Sequence, residues 1–365
     1  MIKTAVVCFF DAFPAKSGSG VVCCDFFKSW PSKKKKLFQM STIVFKSQSI
    51  ENIELIKNTP FFKILNIPFL IYKILKYFNL SKNNSIIIEG PSWIFYTYLV
   101  FIYFRLFKKN TFLIYRSHSV EYEIRKKNSN IFISLITWYC ERQVYRMSNI
   151  STTVSNIEKK KVLKYYNINT DIFPNSIRIS DISKLKQNKI KNLPKKFILY
   201  CGSYEYNPNK VAIDNIISKI LPTISRQNIY LVLTGKNNIN FNNDFVHNYG
   251  HIKKGKLKYL FKKTICLVVP LLEGYGTRIK ILEAIALNTK VISTFKGIEG
   301  IEHENKSDNF LITNNFNEII KGILKFSKNH IKYKNNNKKI SNIYSMEKNA
   351  LFFYKKVKTI FNATK

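Results

Sequence analysis

The feature that most restricts the fold is an alternation. Short β-rich apolar runs and helical patterns follow one another along nearly the whole of the 365-residue chain. In the first half the runs are KTAVVCF, STIVF, SIIIEG, TFLIYRS and ISTTVS; in the second they are FILYCGS, IYLVLTG, ICLVVPL and KVIST. The intervening segments are long enough for the crossover helices that parallel strands require. The expectation is therefore an α/β chain with two parallel sheets, each covered by helices. Between the two series, SDISKLKQNKIKNLPKK at residues 180–196 is polar, lysine-rich and closed by Pro194, as a linker would be. The predicted organisation is a first doubly wound domain over 1–179, the linker over 180–196, a second domain over 197–340 and a C-terminal helix over 341–365, where SMEKNALFFYKKVKTIF has apolar residues at helical spacing. Two such domains facing each other would form a cleft at the carboxyl ends of both strand sets, where ligands of open α/β sheets bind.

Composition agrees with two cores, since 45% of residues are hydrophobic and 15% aromatic. The formal net charge of +38 creates a field that attracts polyanions. Only eight of the 60 basic residues are Arg, however, and Arg is the residue that base and phosphate forks favour. The lysines come with abundant Asn, Ile, Phe and Tyr, the mixture that AT-rich codons produce. No specific nucleic-acid partner is expected; compositional drift and contact with an anionic membrane surface both account for the charge. The six cysteines, Cys8, Cys23, Cys24, Cys140, Cys201 and Cys266, show no zinc spacing and read as reduced core thiols of a cytoplasmic protein. The N-terminus reads as a first strand and its loop rather than a signal peptide. The longest apolar run, Trp93 to Phe104, stops at Arg105 and is too short to span a bilayer. The basic–apolar stretches FFKILNIPFLIYKILKYF and FIYFRLFKK fit either core helices edged by Lys stems or helices at the inner face of a membrane.

The stretch PLLEGYGTRIKILEAIALNTKVIST, Pro270 to Thr294, carries the most specific chemistry. A strand, CLVVP, is followed by a loop whose Gly274 and Gly276 leave no side chain in the way, and a helix is expected to begin at Thr277 or its neighbour. A helix N-terminus offers free backbone N–H groups and a partial positive charge, which together suit phosphate oxygens. Arg278 in the first turn opposes the helix dipole, a penalty that a bound pyrophosphate would reverse. Glu283 stands in a helix that is apolar almost all round, and a buried carboxylate is costly without a partner. It either pairs with Lys280 on a solvated face or holds a ligand, such as the two hydroxyls of a ribose whose diphosphate lies at the helix start.

These residues resemble the donor-binding segment of the retaining glycosyltransferases of family 4, in the branch that reads G-T-R-x-K-x-x-E-A-x-A and continues into a strand and a Gly-rich turn. The match falls on Gly276, Thr277, Arg278, Lys280, Glu283, Ala284 and Ala286, then Gly297 and Gly300. ILYCGSYEYNPNKVAIDNIISKILP, with Gly202, is similar to the opening of that branch's C-terminal domain, and TTVSNIEKKKVL followed by FPNSI resembles the end of its N-terminal domain. RSHSVEYE looks like the family's H-N-V-E-Y segment, and FPAKSGSG, with Ser17, Gly18, Ser19 and Gly20, is similar to its N-terminal glycine loop at the acceptor and phosphates. The resemblance implies a GT-B fold of two Rossmann-like domains facing across a cleft, and a hexosyl-type transferase that retains configuration.

By position, the resemblance places Glu283 at the donor ribose and His118 opposite the transferring sugar. Tyr275 stands where the family has the first glutamate of its E-x7-E motif, so either Glu273 or the backbone N–H groups of the glycine loop take over that role. Ser203 stands where many relatives carry an arginine, which leaves Arg278 and Lys280, with Lys236 after LVLTG, to supply positive charge.

The chain contains no Asp-x-Asp. Glu121 and Glu123, and the run Glu302, His303 and Glu304, lack ligand spacing with a third partner, so neither a metal nor a cofactor besides the donor is expected. The leaving diphosphate would be stabilised by the helix start, Arg278 and Lys280. The expected partners are a nucleotide-sugar donor and a glycan or lipid-linked acceptor, a precursor of a cell-surface polysaccharide or glycolipid. Two alternatives remain: an epimerase on the same fold, with Glu121 and Glu123 as its only carboxylates, and a non-catalytic basic protein binding membrane or nucleic acid.

Overall fold

All strand pairings in both sheets are parallel. The computed structural model describes residues 2–15, 17–45, 47–79, 81–90, 92–236, 239–274, 276–301, 309–328 and 342–363. The chain divides into a first unit, Met1–Ser176 with Met346–Lys365, and a second, Ile177–Ser345.

Among the described residues the first unit holds seven strands: β1 (Lys3–Cys8), β2 (Lys35–Ser41), β3 (Ile50–Glu54), β4 (Asn84–Glu89), β5 (Phe112–Arg116), β6 (Ile150–Thr153) and β7 (Asp171–Ile172). Their order is β3-β2-β1-β4-β5-β6-β7, so the winding reverses between β1 and β4. The central strands are buried along nearly their whole length: Ala5, Val6, Val7 and Cys8 of β1 and Ile86, Ile87 and Ile88 of β4 are inaccessible to solvent. Such continuous apolar runs belong to parallel sheets covered on both faces.

The second unit holds β8 (Phe197–Cys201), β9 (Tyr230–Thr234), β10 (Val246–Asn248), β11 (Leu267–Val269), β12 (Val291–Ser293) and β13 (Phe310–Ile312) in the order β10-β9-β8-β11-β12-β13, with the reversal between β8 and β11. In each unit the first strand sits at the centre and the chain winds outward to both sides. This is the doubly wound pattern.

One expected strand is displaced. STIVF was the candidate because of its β-branched residues, but β2 covers Lys35–Ser41 and ends where that run begins. The lysines at the start of β2 are accommodated by direct partners. Lys35 Nζ donates to the carbonyls of Phe27 and Trp30 at 2.6 and 2.5 Å, and Lys36 pairs with Glu51 on β3 at 2.6 Å. A helix C-terminus rich in unsatisfied carbonyls is a natural receiver for such an ammonium.

The segment 180–196, expected as a linker, folds onto the second unit. Lys258 Nζ donates to the carbonyls of Ile182, Ser183 and Leu185 at 2.6, 3.1 and 2.7 Å, closing the short helix Ile179–Lys184. The terminal helix runs Met346–Ala363 and belongs to the first unit. Its Phe353 meets Trp30 and Phe173 at centroid distances of 6.1 and 5.2 Å, and Phe361 meets Phe112 at 5.5 Å. Just before it, the Ile177 N–H donates to the Tyr344 carbonyl at 3.1 Å, so the outgoing and returning chain lie side by side at the edge of the second unit.

Phe353 is buried, and truncating a buried Phe costs about 3–5 kcal/mol. Phe353→Ala should therefore lower the melting temperature of the first unit while leaving core amide protection in β8, β9 and β11 unchanged. Hydrogen exchange read strand by strand checks this.

Candidate functional site

In both units the loops that follow the strands gather at the carboxyl edge, and the two candidate groups of side chains lie beside the two points where the winding reverses. In the first unit the group is built on β4 and β5. Glu89 is the last residue of β4 and Arg116 the last of β5, and the two pair directly, with Arg116 Nη1 on Glu89 Oε1. The other oxygen of Glu89 lies 2.8 Å from His118 Nε2. All three side chains are buried, Glu89 completely. Burial pushes the Glu89 carboxyl up, but Arg116 and His118 outweigh it and hold its pKa below the usual value. The Arg116 guanidinium lies 3.9 Å from the Phe26 ring centroid and 4.2 Å from that of Phe173, a cation–π arrangement on two sides. His118 thus has one ring nitrogen engaged with a carboxylate, which fixes the orientation of its ring.

The glycine loop lies on the same edge. Ser17 caps the helix Gly18–Ser29, its hydroxyl accepting from Gly20 N at 3.1 Å. A Cβ at Gly20 would come within 2.5 Å of the Asp11 carbonyl, so glycine lets this helix press against the loop after β1. Gly18 and Ser19 form the first turn. Gln39 rivets the loop itself: its Oε1 accepts from Ala12 N and Phe13 N at 3.2 and 2.9 Å, and its Nε2 donates to the Phe13 carbonyl at 2.6 Å.

Glu121 and Glu123 are structural. Glu121 Oε1 accepts from Arg125 Nε and Nη2 at 3.1 and 3.0 Å, and its Oε2 accepts from Ile94 N at 2.5 Å. Glu123 pairs with Lys161 at 2.6 Å. Burial raises the Glu121 carboxyl to about 8, with the nearby Glu141 adding to the shift. Among the described residues no group of three or more His, Cys, Asp or Glu could hold a metal ion. Glu302, His303 and Glu304 lie outside the described residues.

In the second unit the group surrounds the reversal between β8 and β11. Gly202 follows β8, and its N–H donates to the Thr234 carbonyl at the end of β9, 2.8 Å away. After β11 the loop passes through Gly274 and Gly276, at φ +112° and +75°, conformations that side-chain-bearing residues rarely adopt. The position a Cβ would take at Gly274 lies 2.7 Å from Arg278 Nη2 and 3.4 Å from the Tyr206 hydroxyl. A side chain there would require the guanidinium to shift. Tyr275, between the two glycines, lies outside the described residues.

The helix Ile279–Ala286 starts later than the sequence indicated. Arg278 is its N-cap, at φ −83° and ψ 92°, and Thr277 precedes it with an enclosed hydroxyl that has no hydrogen-bond partner. Arg278 is half-buried, so burial pushes its guanidinium pKa down.

Lys280 lies against β8. Its Nζ is 4.2 Å from the Tyr200 ring centroid and 3.5 Å from Asn209 Oδ1. Part of the residue's surface stays accessible, but the ammonium end is enclosed, and burial with Arg278 nearby pushes it down to about 8. Glu283 is half-buried on the same helix, whose Ile281, Leu282, Ala284 and Ile285 face the core. Its charge, like that of Lys280, is felt at the half-buried Cys201, so both side chains lie near the end of β8.

The other expected donors are more peripheral. Glu273 is exposed and accepts from Asn207 Nδ2 at 3.1 Å, and Lys236 is exposed, its carbonyl accepting from the Ser203 hydroxyl at 3.2 Å. The sequence reading missed Asn209, which accepts from the Tyr200 hydroxyl at 2.8 Å, donates to the Ser203 carbonyl at 2.9 Å and meets Lys280. Its place in the first turn after NP was the available signal. It also missed Glu89 and Arg116, since a charged residue ending an apolar strand is unremarkable without its partner.

Comparison with known proteins adds to this geometry. Residues 195–329, the greater part of the second unit, match the family described as Glycosyl transferases group 1. Full-length likeness extends to sucrose-phosphate synthase from Thermosynechococcus elongatus, with TM-score 0.73 at 14% identity over 99% of this chain and 100% of that one. The fold is GT-B. A glycosyltransferase from Rickettsia africae gives TM-score 0.65 at 13% identity over 98% of each chain. Anabaena HepE, in complex with UDP and glucose, gives TM-score 0.63 at 11% identity over 99% of this chain and 98% of that one. No curated protein sequence matches. The family match thus falls within the second unit of this GT-B chain, and among the described residues no helix is long and apolar enough to cross a membrane.

Two measurements test the electrostatics. Breaking a buried pair by removing one charge costs about 3–5 kcal/mol, so Glu89→Gln should destabilise by that amount, and adding Arg116→Met should recover part of it in denaturant unfolding. Lys280 is charged in both the folded and the unfolded state below about 8; between there and its ordinary value the unfolded chain holds a proton that the folded one lacks, so stability rises with pH. Lys280→Met should be more stable than the parent at pH 7, by up to about 3 kcal/mol, with the gap closing as pH rises past 8.

Proposed function

We propose that the protein is a retaining glycosyltransferase of the family 4 type, moving a sugar from a nucleotide-diphosphate donor to an acceptor hydroxyl. The observation that carries this reading is the convergence of Arg278, Lys280 and Glu283 at the reversal between β8 and β11, where ligands of doubly wound sheets bind. The Arg278 guanidinium under Gly274 and the enclosed Lys280 ammonium would face the diphosphate, and Glu283 would accept from the ribose hydroxyls.

The chemical task is to stabilise charge that accumulates on the leaving diphosphate as the glycosidic bond breaks. Cations that are already desolvated and held in place do this without reorganisation at the moment of reaction. On this reading Arg278 and Lys280 take the part a divalent cation plays elsewhere, and the reaction needs no metal and no cofactor besides the donor.

The first unit would bind the acceptor, a polysaccharide or glycolipid precursor, and His118, oriented by Glu89, would act on the transferring sugar. The protein would work in the cytoplasm, at the inner face of the membrane where the acceptor is lipid-linked. Glu121 and Glu123 are engaged with Arg125 and Lys161, which favours transfer over epimerisation.

Calorimetric titration with a panel of nucleoside diphosphates tests the site. Arg278→Gln should weaken the preferred ligand about ten- to a hundredfold, the loss of a charge-assisted hydrogen bond worth about 1.5–3 kcal/mol. Glu283→Gln should also weaken it, but much less for a dideoxyribose analogue. His118→Ala should reduce transfer far more than nucleotide binding, and EDTA should leave both intact. Unchanged affinity in the Arg278 and Glu283 variants would refute the site, and strict dependence on added magnesium or manganese would refute the metal-free mechanism.

A further inference from the structure

Two cavities of the first unit lie at opposite edges of its sheet. The larger, about 1000 Å³, opens at the amino ends of β4 and β5 beside Asn84 and Phe112, away from the loops that carry function in such folds. The smaller, about 490 Å³, opens at the carboxyl edge, between the residues that follow β1 and those that follow β4. It therefore occupies the reversal point of the first unit. Its walls are of three kinds. Phe9, Trp93 and Tyr96 form an aromatic side, with Tyr96 ring centroids 5.3 Å from Phe9 and 5.7 Å from Trp93. Lys63 and Arg125 bring positive charge, and among the described residues no carboxylate lines the cavity. Ser92 contributes a hydroxyl that is enclosed and has no hydrogen-bond partner.

The two cations differ in how far they are committed. Arg125 is held by Glu121, so it offers N–H donors in a fixed position. Lys63 has no carboxylate within ion-pair distance among the described residues, and its Nζ stands 5.8 Å from the Tyr96 ring centroid. Burial, partly offset by Asp11, depresses its pKa; an anion beside it would relieve that penalty. An aromatic wall suits the apolar face of a sugar ring, and an ammonium with a hydroxyl donor suits phosphate oxygens.

We propose that this cavity is the acceptor subsite and that the acceptor carries a phosphate, held by Lys63 with Ser92 and Arg125 and bordered by the Trp93 and Tyr96 rings. Its assignment as acceptor subsite rests on the transferase reading above; its selectivity for phosphate does not. The phosphate could belong to a soluble sugar phosphate or to a lipid headgroup. The second source enters because the helices Pro60–Leu65 and Ile131–Met147, which supply walls of the cavity, leave Phe61, Leu65, Ile131 and Phe132 exposed.

Binding is measured in two arms for the full-length parent and for Lys63→Gln and Lys63→Arg. One arm compares glucose 6-phosphate with glucose by titration; the other compares phosphatidylcholine vesicles with and without phosphatidic acid by co-sedimentation. The expected result is at least tenfold tighter binding of the phosphorylated probe in one arm, a loss of that preference in Lys63→Gln and its retention in Lys63→Arg. The arm that responds identifies the source. Equal binding of phosphorylated and unphosphorylated probes in both arms, or a preference that survives Lys63→Gln, overturns the proposal. Nucleoside diphosphate binding, measured alongside, should be unaffected by Lys63→Gln. If the parent binds no nucleoside diphosphate but keeps a Lys63-dependent phosphate preference, it is the transferase reading that fails.

Discussion

The first unit is organised around a buried cation. The Arg116 guanidinium, set at the end of β5, is paired with Glu89 at the end of β4 and held between the rings of Phe26 and Phe173. A charge withdrawn from water in this way is tolerable only when its partners are fixed, and each of those partners belongs to a different element. Glu89 ties the two strands, Phe26 brings in the helix Gly18–Ser29, and Phe173 follows β7 and touches Phe353 of the terminal helix. His118 receives its orientation from the second oxygen of the same carboxylate. Position at the carboxyl edge is thus fixed by one electrostatic requirement as well as by packing.

The second unit uses the opposite balance. Where Arg116 is neutralised on the spot, Lys280 is enclosed beside Tyr200 and Asn209, groups that stabilise an ammonium without cancelling its charge. The Arg278 guanidinium lies close enough to add to its penalty. Two cations kept close together at a strand-reversal point form a site whose electrostatic energy falls when an anion arrives. Such crowding is a cost to folding that nearby acceptors such as Glu299 and Tyr206 offset in part at Arg278.

Much of this was legible in the chain. The alternation of apolar strands with helical segments gave the two parallel sheets, and the GTR-x-K-x-x-E spacing set Arg278, Lys280 and Glu283 on one short helix and its cap. What escaped notice has physical causes. β2 was masked because Lys35 and Lys36 look like solvent-exposed residues until their carbonyl and carboxylate partners are in place. The helix was expected one or two residues early because Thr277 and Arg278 are compatible with helix, whereas Arg278 takes the extended N-cap conformation. Glu89 and Arg116 become meaningful only as a pair, across 27 residues of sequence. Pairings between distant residues leave no periodic trace for a sequence reading to find.

The placement of the terminal helix bears on how the chain comes to be folded. Because Met346–Lys365 completes the first unit while Ile177–Ser345 forms the second, the second unit is an insertion within the first. During synthesis, all of its strands emerge before the first unit can close. Until Met346–Ala363 has been synthesised, Phe353 is not there to cover Trp30 and Phe173. Order of synthesis and order of sequence therefore diverge from order of completion: the unit that begins first is finished last.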